Sequence, residues 1–419
     1  MSCESRQVCE DRIVCFIKIR MSKYADKEDK LSVKRILMIS DTIIMPLERG
    51  NRKRVYNLIN MMREHGCEVD FLFLATYPEE DPALTEEFIG KEHFIRFENK
   101  KRTFPVFLKR KVRKVLEILH IPGLFKYFSI DEKISPEIGA FMTNLMKERH
   151  YDVVWAEYIY TSKALCYVPE GVVKVIDTVN AFTFKRQMYE AVGYKNYEFA
   201  VTKKEEARGL ARADWVVAIQ EEEEKFFRSI LPDDAKVRVC TIGENMPISE
   251  PYVAKTNNIL FLGSYYVVNR EGVRHFIDKI LPILKMSGQS YHVQLAGTIC
   301  RHIPDSEEYE KLGIIDDINE AYENARLVIN PVHVGTGLNI KTIEAVSKAK
   351  PLVSHSVGVR GLSTDRPFAM VSDDDEEYAK AIITLLQDED KAMELSINAN
   401  AFMKQYVEKN DAALREIIK

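Results

Sequence analysis

A chain of 419 residues, 46% apolar and 30% charged, is long enough for two or three self-supporting globular cores. Its net charge of -4 argues against a general nucleic-acid binder, because such proteins are usually basic. No apolar run reaches the roughly 18 residues that a membrane-spanning helix needs, so no such helix is predicted.

Residues 1–33 read as an N-terminal extension, disordered by expectation. Ile13 to Ile17 is too short for a signal-peptide core and follows acidic Glu10 and Asp11, so no export signal is read. Met21 is a plausible alternative start. Cys3, Cys9 and Cys15 fit no common metal-ligand spacing. The scatter of seven cysteines along so large a chain suggests a reducing cytoplasm rather than a disulfide framework.

The first βαβ unit is legible at Arg35–Ser40, a short and continuously apolar run of the kind found in buried parallel strands. A polar loop, Leu47 to Gly50, follows. Asn51 is read as the cap of a helix with apolar positions Val55, Leu58, Ile59 and Met62, closed by Gly66. Further strands are predicted at 69–74, 153–156, 173–177, 215–218 and 237–240. Between the second and third, residues 100–114 carry Lys100, Lys101, Arg102, Lys109, Arg110, Lys111, Arg113 and Lys114 with no acid. With apolar residues at helical spacing, 100–119 reads either as a basic amphipathic helix for an anionic membrane surface or as a solvated helix on the domain.

The alternation of strands and helices predicts a doubly wound parallel sheet over 34–243. A polar, proline-bearing stretch, 244–258, reads as a linker. A second α/β series over 259–391 has strands predicted at 259–263, 293–296, 327–330, 352–354 and 368–371, and residues 392–419 read as helix. Two such domains imply a cleft between them for ligands. Glu221 to Glu224 and Asp373 to Asp375 read as solvated helix starts rather than metal-binding runs. The histidines show no HxxH cluster, so no metal is expected.

Chemistry concentrates in Gly335 to Leu362. An apolar run ending at Val332 leads into Gly335-Thr336-Gly337, then a helical pattern with Glu344, then Leu352-Val353-Ser354. Strand, glycine loop, helix and strand place an anion at a helix N-terminus. Glycines let the backbone approach it, and Glu344 can accept hydrogen bonds from vicinal hydroxyls such as those of a ribose. Phosphate and ribose together mean a nucleotide, although a tight turn in an ordinary α/β core accounts for the spacing equally well.

The residues of this segment resemble the donor-binding signature of the retaining GT-B-fold glycosyltransferases of family four, the group 1 glycosyl transferases. Gly335, Gly337, Lys341, Glu344, Ala345, Pro351, Val353, Gly358 and Gly361 fall on a pattern GxGxxxKxxEAxAxGxPVVxTxxGxxG, and the resemblance runs from about Lys34 to Gln387. It implies two Rossmann-like domains, an acceptor domain over 34–243 and a nucleotide-sugar donor domain over 259–391, with 392–419 crossing back to the first. The activity it implies is metal-independent hexosyl transfer, with retention, from a nucleoside-diphosphate sugar to a hydroxyl of a glycan or lipid-linked acceptor. Polysaccharide biosynthesis at the inner face of the membrane is the setting it suggests. The sugar nucleotide is then a substrate, and no cofactor is expected.

By the same resemblance Glu344 holds the ribose, and Lys341, one helical turn earlier, meets the leaving diphosphate. Gly335, Thr336, Gly337, Leu338 and Asn339 form the donor loop. Gly263 and Arg270 stand where many relatives bind phosphate. Gly50 and Arg52, in a loop where the family has paired glycines and a basic residue, face phosphate or acceptor, or simply begin a helix. Asp177 either orients an acceptor hydroxyl or caps the following helix. Two departures stand out. Thr336 replaces the first glutamate of the family's E-x(7)-E, and Val179 replaces the histidine of DTHD, with Asn180 in place of the acid. They support an alternative, a nucleotide-sugar-binding partner without transfer activity. A GT-B-fold nucleotide-sugar epimerase is a third reading.

Overall fold

The computed structural model describes residues 33–47, 50–76, 81–99, 129–185, 200–232, 235–315, 317–335 and 337–419. The N-terminal extension, the 100–119 segment and Thr336 therefore lie outside the described residues, apart from Val33.

Strands β1 (Arg35–Ser40), β2 (Glu68–Ala75), β3 (Phe94–Glu98), β4 (Val153–Glu157), β5 (Val173–Asp177), β6 (Trp215–Ala218) and β7 (Arg238–Thr241) form one parallel sheet in the order β3-β2-β1-β4-β5-β6-β7. Its helices are α1 (Gly50–Glu64), α2 (Ala83–Ile89), α3 (Ile138–Glu148), α4 (Lys203–Leu210) and α5 (Glu221–Ile230). A second parallel sheet follows, built from β8 (Asn258–Leu262), β9 (His292–Ala296), β10 (Glu310–Gly313), β11 (Leu327–Asn330), β12 (Leu352–Ser354) and β13 (Ala369–Val371) in the order β10-β9-β8-β11-β12-β13. Around it lie α6 (Val267–His275), α7 (Leu281–Met286), α8 (Ile318–Asn324), α9 (Ile340–Ser347), α10 (Asp375–Gln387) and α11 (Glu389–Ile418).

The inner strands are apolar on both faces because helices cover both. Leu37 and Ile39 enter one core of the N-terminal domain, while Ile36 and Met38 enter the other. Phe261 and Leu260 divide in the same way in the second domain. At roughly 25 cal/mol per Å2 of apolar area removed from water, these four clusters carry the fold. Asn51 lies in the first turn of α1 rather than before it, its side chain donating to Thr42 Oγ1 at 3.2 Å.

In each sheet the strand order reverses once, between β1 and β4 and between β8 and β11. Ligands of doubly wound sheets bind beyond the carboxyl ends of strands at such points. Helix α11 joins the two halves. Ala399, Phe402 and Met403 pack in the second domain, while Leu414 and Ile417 pack against β1 and α1 of the first. The start of the linker is pinned: Gly243 N–H donates to Asn410 Oδ1 at 2.9 Å and Glu244 N–H to Tyr406 Oη at 3.2 Å. Among the described residues no helix is long and apolar enough to cross a membrane.

Candidate functional site

The N-terminal side of the cleft is a set of buried charges that satisfy one another. Arg54, on α1, donates from Nε to Asp177 Oδ2 at 3.0 Å and from Nη2 to Asp177 Oδ1 at 2.8 Å, a bidentate pair at the end of β5. Its Nη1 reaches the Gly243 carbonyl at 2.9 Å and Glu244 Oε1 at 3.5 Å, and Asn57 donates to Glu244 Oε2 at 2.9 Å. Burial alone would lower the Arg54 pKa, but Asp177 and Glu244 outweigh it and hold the guanidinium charged. Asp177 is 0% exposed with both carboxylate oxygens engaged. It is therefore placed as a structural anchor rather than as a base open to an acceptor hydroxyl.

Glu157, at the end of β4, is also fully buried and accepts a hydrogen bond from Ser40 Oγ at the end of β1. Burial pushes its carboxyl well above the usual range; Ser40 opposes this, while Asp41 and Asp177 add to it. Arg52 is buried and turned back to the Pro46 carbonyl at 3.2 Å, so it does not present its charge as a phosphate ligand would. Gly50 does face the cleft: a Cβ there would stand 2.9 Å from Ile340 Cδ1 at the start of α9. The N-termini of α1 and α9 thus meet across the two domains, and each carries the positive end of a helix dipole.

On the other side, Gly263 ends β8, and a Cβ at that position would lie 3.5 Å from Lys341 Cε. Lys341, in the first turn of α9, thus runs past the tip of the central strand. Burial pushes its ammonium down to about 8, with only the attraction of Glu344 opposing the shift. Glu344 is buried one turn on, and its Oε2 accepts from Tyr322 Oη at 3.2 Å. Helix α9 is held by Thr342, whose Oγ1 accepts from Asn330 Nδ2 at 2.9 Å and donates to the Gly358 carbonyl at 2.6 Å. The carboxylate and the ammonium are therefore presented by a fixed element. Arg270, on α6, pairs with its neighbour Glu271 at 2.8 Å, which takes up much of its charge.

The glycine loop closes the site against the first domain. Gly337 has φ +73, and a Cβ there would stand 3.5 Å from both Val179 O and Asn180 Cβ. A glycine is favoured there by the dihedral, and the loop touches the first domain at van der Waals distance. Val179 itself has φ 59, which is an outlier for a β-branched residue and marks a strained turn at the end of β5. Arg360 Nη2 donates to the Gly335 carbonyl at 2.7 Å and steadies the other end of the loop. Leu338 is buried, and Asn339, before α9, keeps an Oδ1 without a hydrogen-bond partner among the described residues.

Glu223 corrects the expectation of a solvated Glu221 to Glu224. It is 5% exposed, and its Oε1 accepts the Ala181 N–H at 3.0 Å. The Gly337 N–H of the opposite domain adds a weaker pull on the same carboxyl, while Oε2 has no hydrogen-bond partner among the described residues. Burial pushes its pKa up to about 8. Glu206 grips the same turn through the Phe182 and Thr183 N–H groups at 2.8 and 3.0 Å. Glu221 ties to Ser363 and, at 3.0 Å, to Lys409. A run of glutamates at a helix start gave no sign that one of them turns inward. Tyr322, behind Glu344, carried no sequence signal either.

Residues 256–388 match the family described as "Glycosyl transferases group 1". A protein of Klebsiella pneumoniae described as an uncharacterized 44.6 kDa protein in the cps region is 20% identical over 401 residues, spanning 88% of this chain and 96% of its own length. Among solved structures, TarM superposes with a TM-score of 0.65 at 11% identity, covering 94% of this chain and 100% of its own. The pneumococcal O-GlcNAc transferase GtfA, in complex with UDP and GlcNAc, gives 0.62 at 10% identity over 93% and 100%. Anabaena HepE, in complex with UDP and glucose, gives 0.58 at 14% identity over 91% and 98%. The chain has the GT-B fold of these glycosyltransferases over nearly its whole length, and its second domain matches the group 1 glycosyl transferases.

Proposed function

We propose that the protein transfers a sugar from a nucleoside-diphosphate sugar to a hydroxyl acceptor with retention at the anomeric carbon. The observation that carries this reading is the Lys341–Glu344 pair on α9, with Lys341 beside Gly263 at the tip of β8 and Glu344 held by Tyr322. Glu344 would accept the ribose hydroxyls. Lys341 and the N–H groups at the start of α9 would meet the diphosphate, where negative charge grows as the bond to the anomeric carbon breaks. The sugar would then lie at the glycine loop, where the unpartnered oxygens of Asn339, Asn180 and Glu223 are suited to sugar hydroxyls.

A double displacement needs an ionised carboxylate on the opposite face of the sugar. Asp177 is locked by Arg54, while burial pushes the Glu157 carboxyl well above the usual range and that of Glu223 up to about 8, which disfavours an ionised carboxylate at either place. These facts support a same-face displacement. The bond from the anomeric carbon to the diphosphate breaks, the acceptor oxygen bonds to that carbon on the same side, and the acceptor proton passes to a diphosphate oxygen. The UDP and sugar complexes of GtfA and HepE support the donor class, and the cps-region relative supports a polysaccharide or lipid-linked glycan as acceptor.

Val179, which offers no side-chain hydrogen bond where relatives carry histidine, favours a second reading, a donor-binding partner without turnover. Donor consumption followed with and without candidate acceptors, with the product anomer assigned by NMR, decides between them. Acceptor-dependent turnover with retained configuration supports transfer. Binding without turnover under any acceptor supports the partner reading. Release of a free sugar product without acceptor would point to an epimerase.

A further inference from the structure

Three adjacent strands of the second sheet, β11, β12 and β13, deliver His333, His355 and Asp373 to one end of the domain. The last residue of α6, His275, meets them there. A cavity of about 850 Å3 opens at this place, and its wall includes all three histidines, Asp373, Asp375 and Lys279. The imidazole centroids stand 5.1 Å apart for His275–His333, 5.9 Å for His275–His355 and 6.0 Å for His333–His355. Three imidazoles on one tetrahedral ion, with metal–nitrogen bonds of about 2.0–2.1 Å, would have centroids roughly 5 Å apart.

The placing of carboxylates beside the imidazoles has the pattern of a metal site's outer layer. His275 Nε2 is 2.7 Å from Asp375 Oδ1, which leaves Nδ1 as its other ring nitrogen. His355 Nδ1 is 3.4 Å from Asp373 Oδ1, and Asp373 is itself fixed by the Ser356 N–H and hydroxyl at 2.9 and 2.6 Å. A carboxylate on one ring nitrogen, orienting the other toward an ion, is the recurrent second layer of histidine sites. Asp374 has a different task, capping α10 through the Glu376 and Glu377 N–H groups.

His355 supplies the decisive observation. It is 2% exposed, its ring lies 4.8 Å from that of Tyr378, and beyond the long 3.4 Å approach of Nδ1 to Asp373 neither ring nitrogen makes a hydrogen bond of ordinary geometry among the described residues. Leaving a buried polar group unsatisfied is costly, so such a group calls for an unseen partner. Among the described residues no three donors already converge on one point. Binding therefore requires side-chain rotation by His333, which is exposed on the loop leading to Gly335, and by His275 as well, since its ring centroid stands 5.9 Å from that of His355.

We propose that His275, His333 and His355 form a site for a borderline divalent transition-metal ion of the Zn2+ type, with Asp375 and Asp373 as outer-layer partners. Imidazole donors select such ions over Mg2+ or Ca2+. The site shares no residue with the Lys341–Glu344 pair and does not depend on the transferase reading. Because Val357 also lines the cavity and faces Gly335, an ion there would brace the donor loop from behind.

The test uses the untagged full chain, stripped with chelator and titrated with Co2+ and then Zn2+. The visible absorption of Co2+ reports coordination, and competition with a chromogenic chelator reports Zn2+ affinity. The proposal predicts one ion per chain and the strong visible band of four-coordinate cobalt. His355→Ala should abolish the band, and Asp375→Asn should weaken binding by about 10–100-fold, as loss of an outer-layer partner does. His333→Ala, at an exposed position, gives the same test without risk to the core. His292→Ala, at the exposed pair with Glu310, should change nothing. Absence of stoichiometric binding, or binding that survives His355→Ala or His333→Ala, overturns the proposal.

Discussion

The two walls of the cleft treat charge in opposite ways. In the first domain Arg54, Asp177 and Glu244 neutralise one another in full burial, and burial holds the Glu157 carboxyl well above its usual range. In the second, Lys341 and Glu344 are neighbours on α9, yet no hydrogen bond joins them among the described residues. Glu344 is held instead by the hydroxyl of Tyr322, and Lys341 lies along the tip of β8. The first wall is built to be rigid and the second to receive a charged ligand. The comparison teaches where to look for function: charges already paired position the site, and those with capacity left take the ligand.

The largest expected effect comes from breaking the first wall. Arg54→Met leaves Asp177 and Glu244 buried without their cation, Glu244 keeping only the Asn57 amide, and should cost about 3–5 kcal/mol in denaturant unfolding. Adding Asp177→Asn to that variant should restore part of the loss, because the uncompensated charge is then gone. A small effect of Arg54→Met would show that the wall does not depend on the ion pair.

On the second wall the effect should fall on binding. Glu344→Gln should weaken nucleoside-diphosphate affinity by about 10–100-fold, the worth of hydrogen bonds to a charged acceptor, with little change in unfolding. Calorimetric titration of the folded variant checks this.

Lys341 gives a smaller, pH-dependent signature. Its ammonium, brought down to about 8 by burial, loses its proton above that pH. Affinity for a nucleoside diphosphate should therefore decline from pH 8 upward, and Lys341→Met should bind more weakly with a flatter profile.

The smallest effect concerns the junction of the walls. The Glu223 carboxyl is raised from 4.5 to about 8 in the folded chain. Its protonated form is the one the fold favours, so its contribution is full below about pH 4.5 and is lost as pH rises through 8. Glu223→Gln should thus gain on the parent chain as the pH is raised from 5 to about 9, read from unfolding midpoints at each pH. Parallel curves for the two proteins would contradict this account of the junction.

Much of the scaffold was legible because its inner strands are covered on both faces and appear as continuous apolar runs. The edge strands β3 and β10 were missed, since Arg96, Glu98, Glu310 and Lys311 break any such run where solvent reaches the sheet. The Lys341–Glu344 pair could be read from spacing, as both residues lie on one short helix. The Arg54–Asp177 bond joins residues 123 positions apart, and no local pattern signals it. The same holds for His275, His333 and His355, which only the strand order brings together. Glu223 was hidden among identical neighbours, and its inward turn depends on the backbone of Ala181 on another element.

The most direct test of the central claim is a thermal-shift and calorimetry panel with UDP, GDP, dTDP and ADP on the parent chain and on Glu344→Ala. At about 100 times its dissociation constant, the matching nucleotide should stabilise the parent by roughly 2.7 kcal/mol, and the variant should lose that gain while remaining folded. No shift with any of the four, or a shift that Glu344→Ala leaves intact, would contradict a donor site on α9.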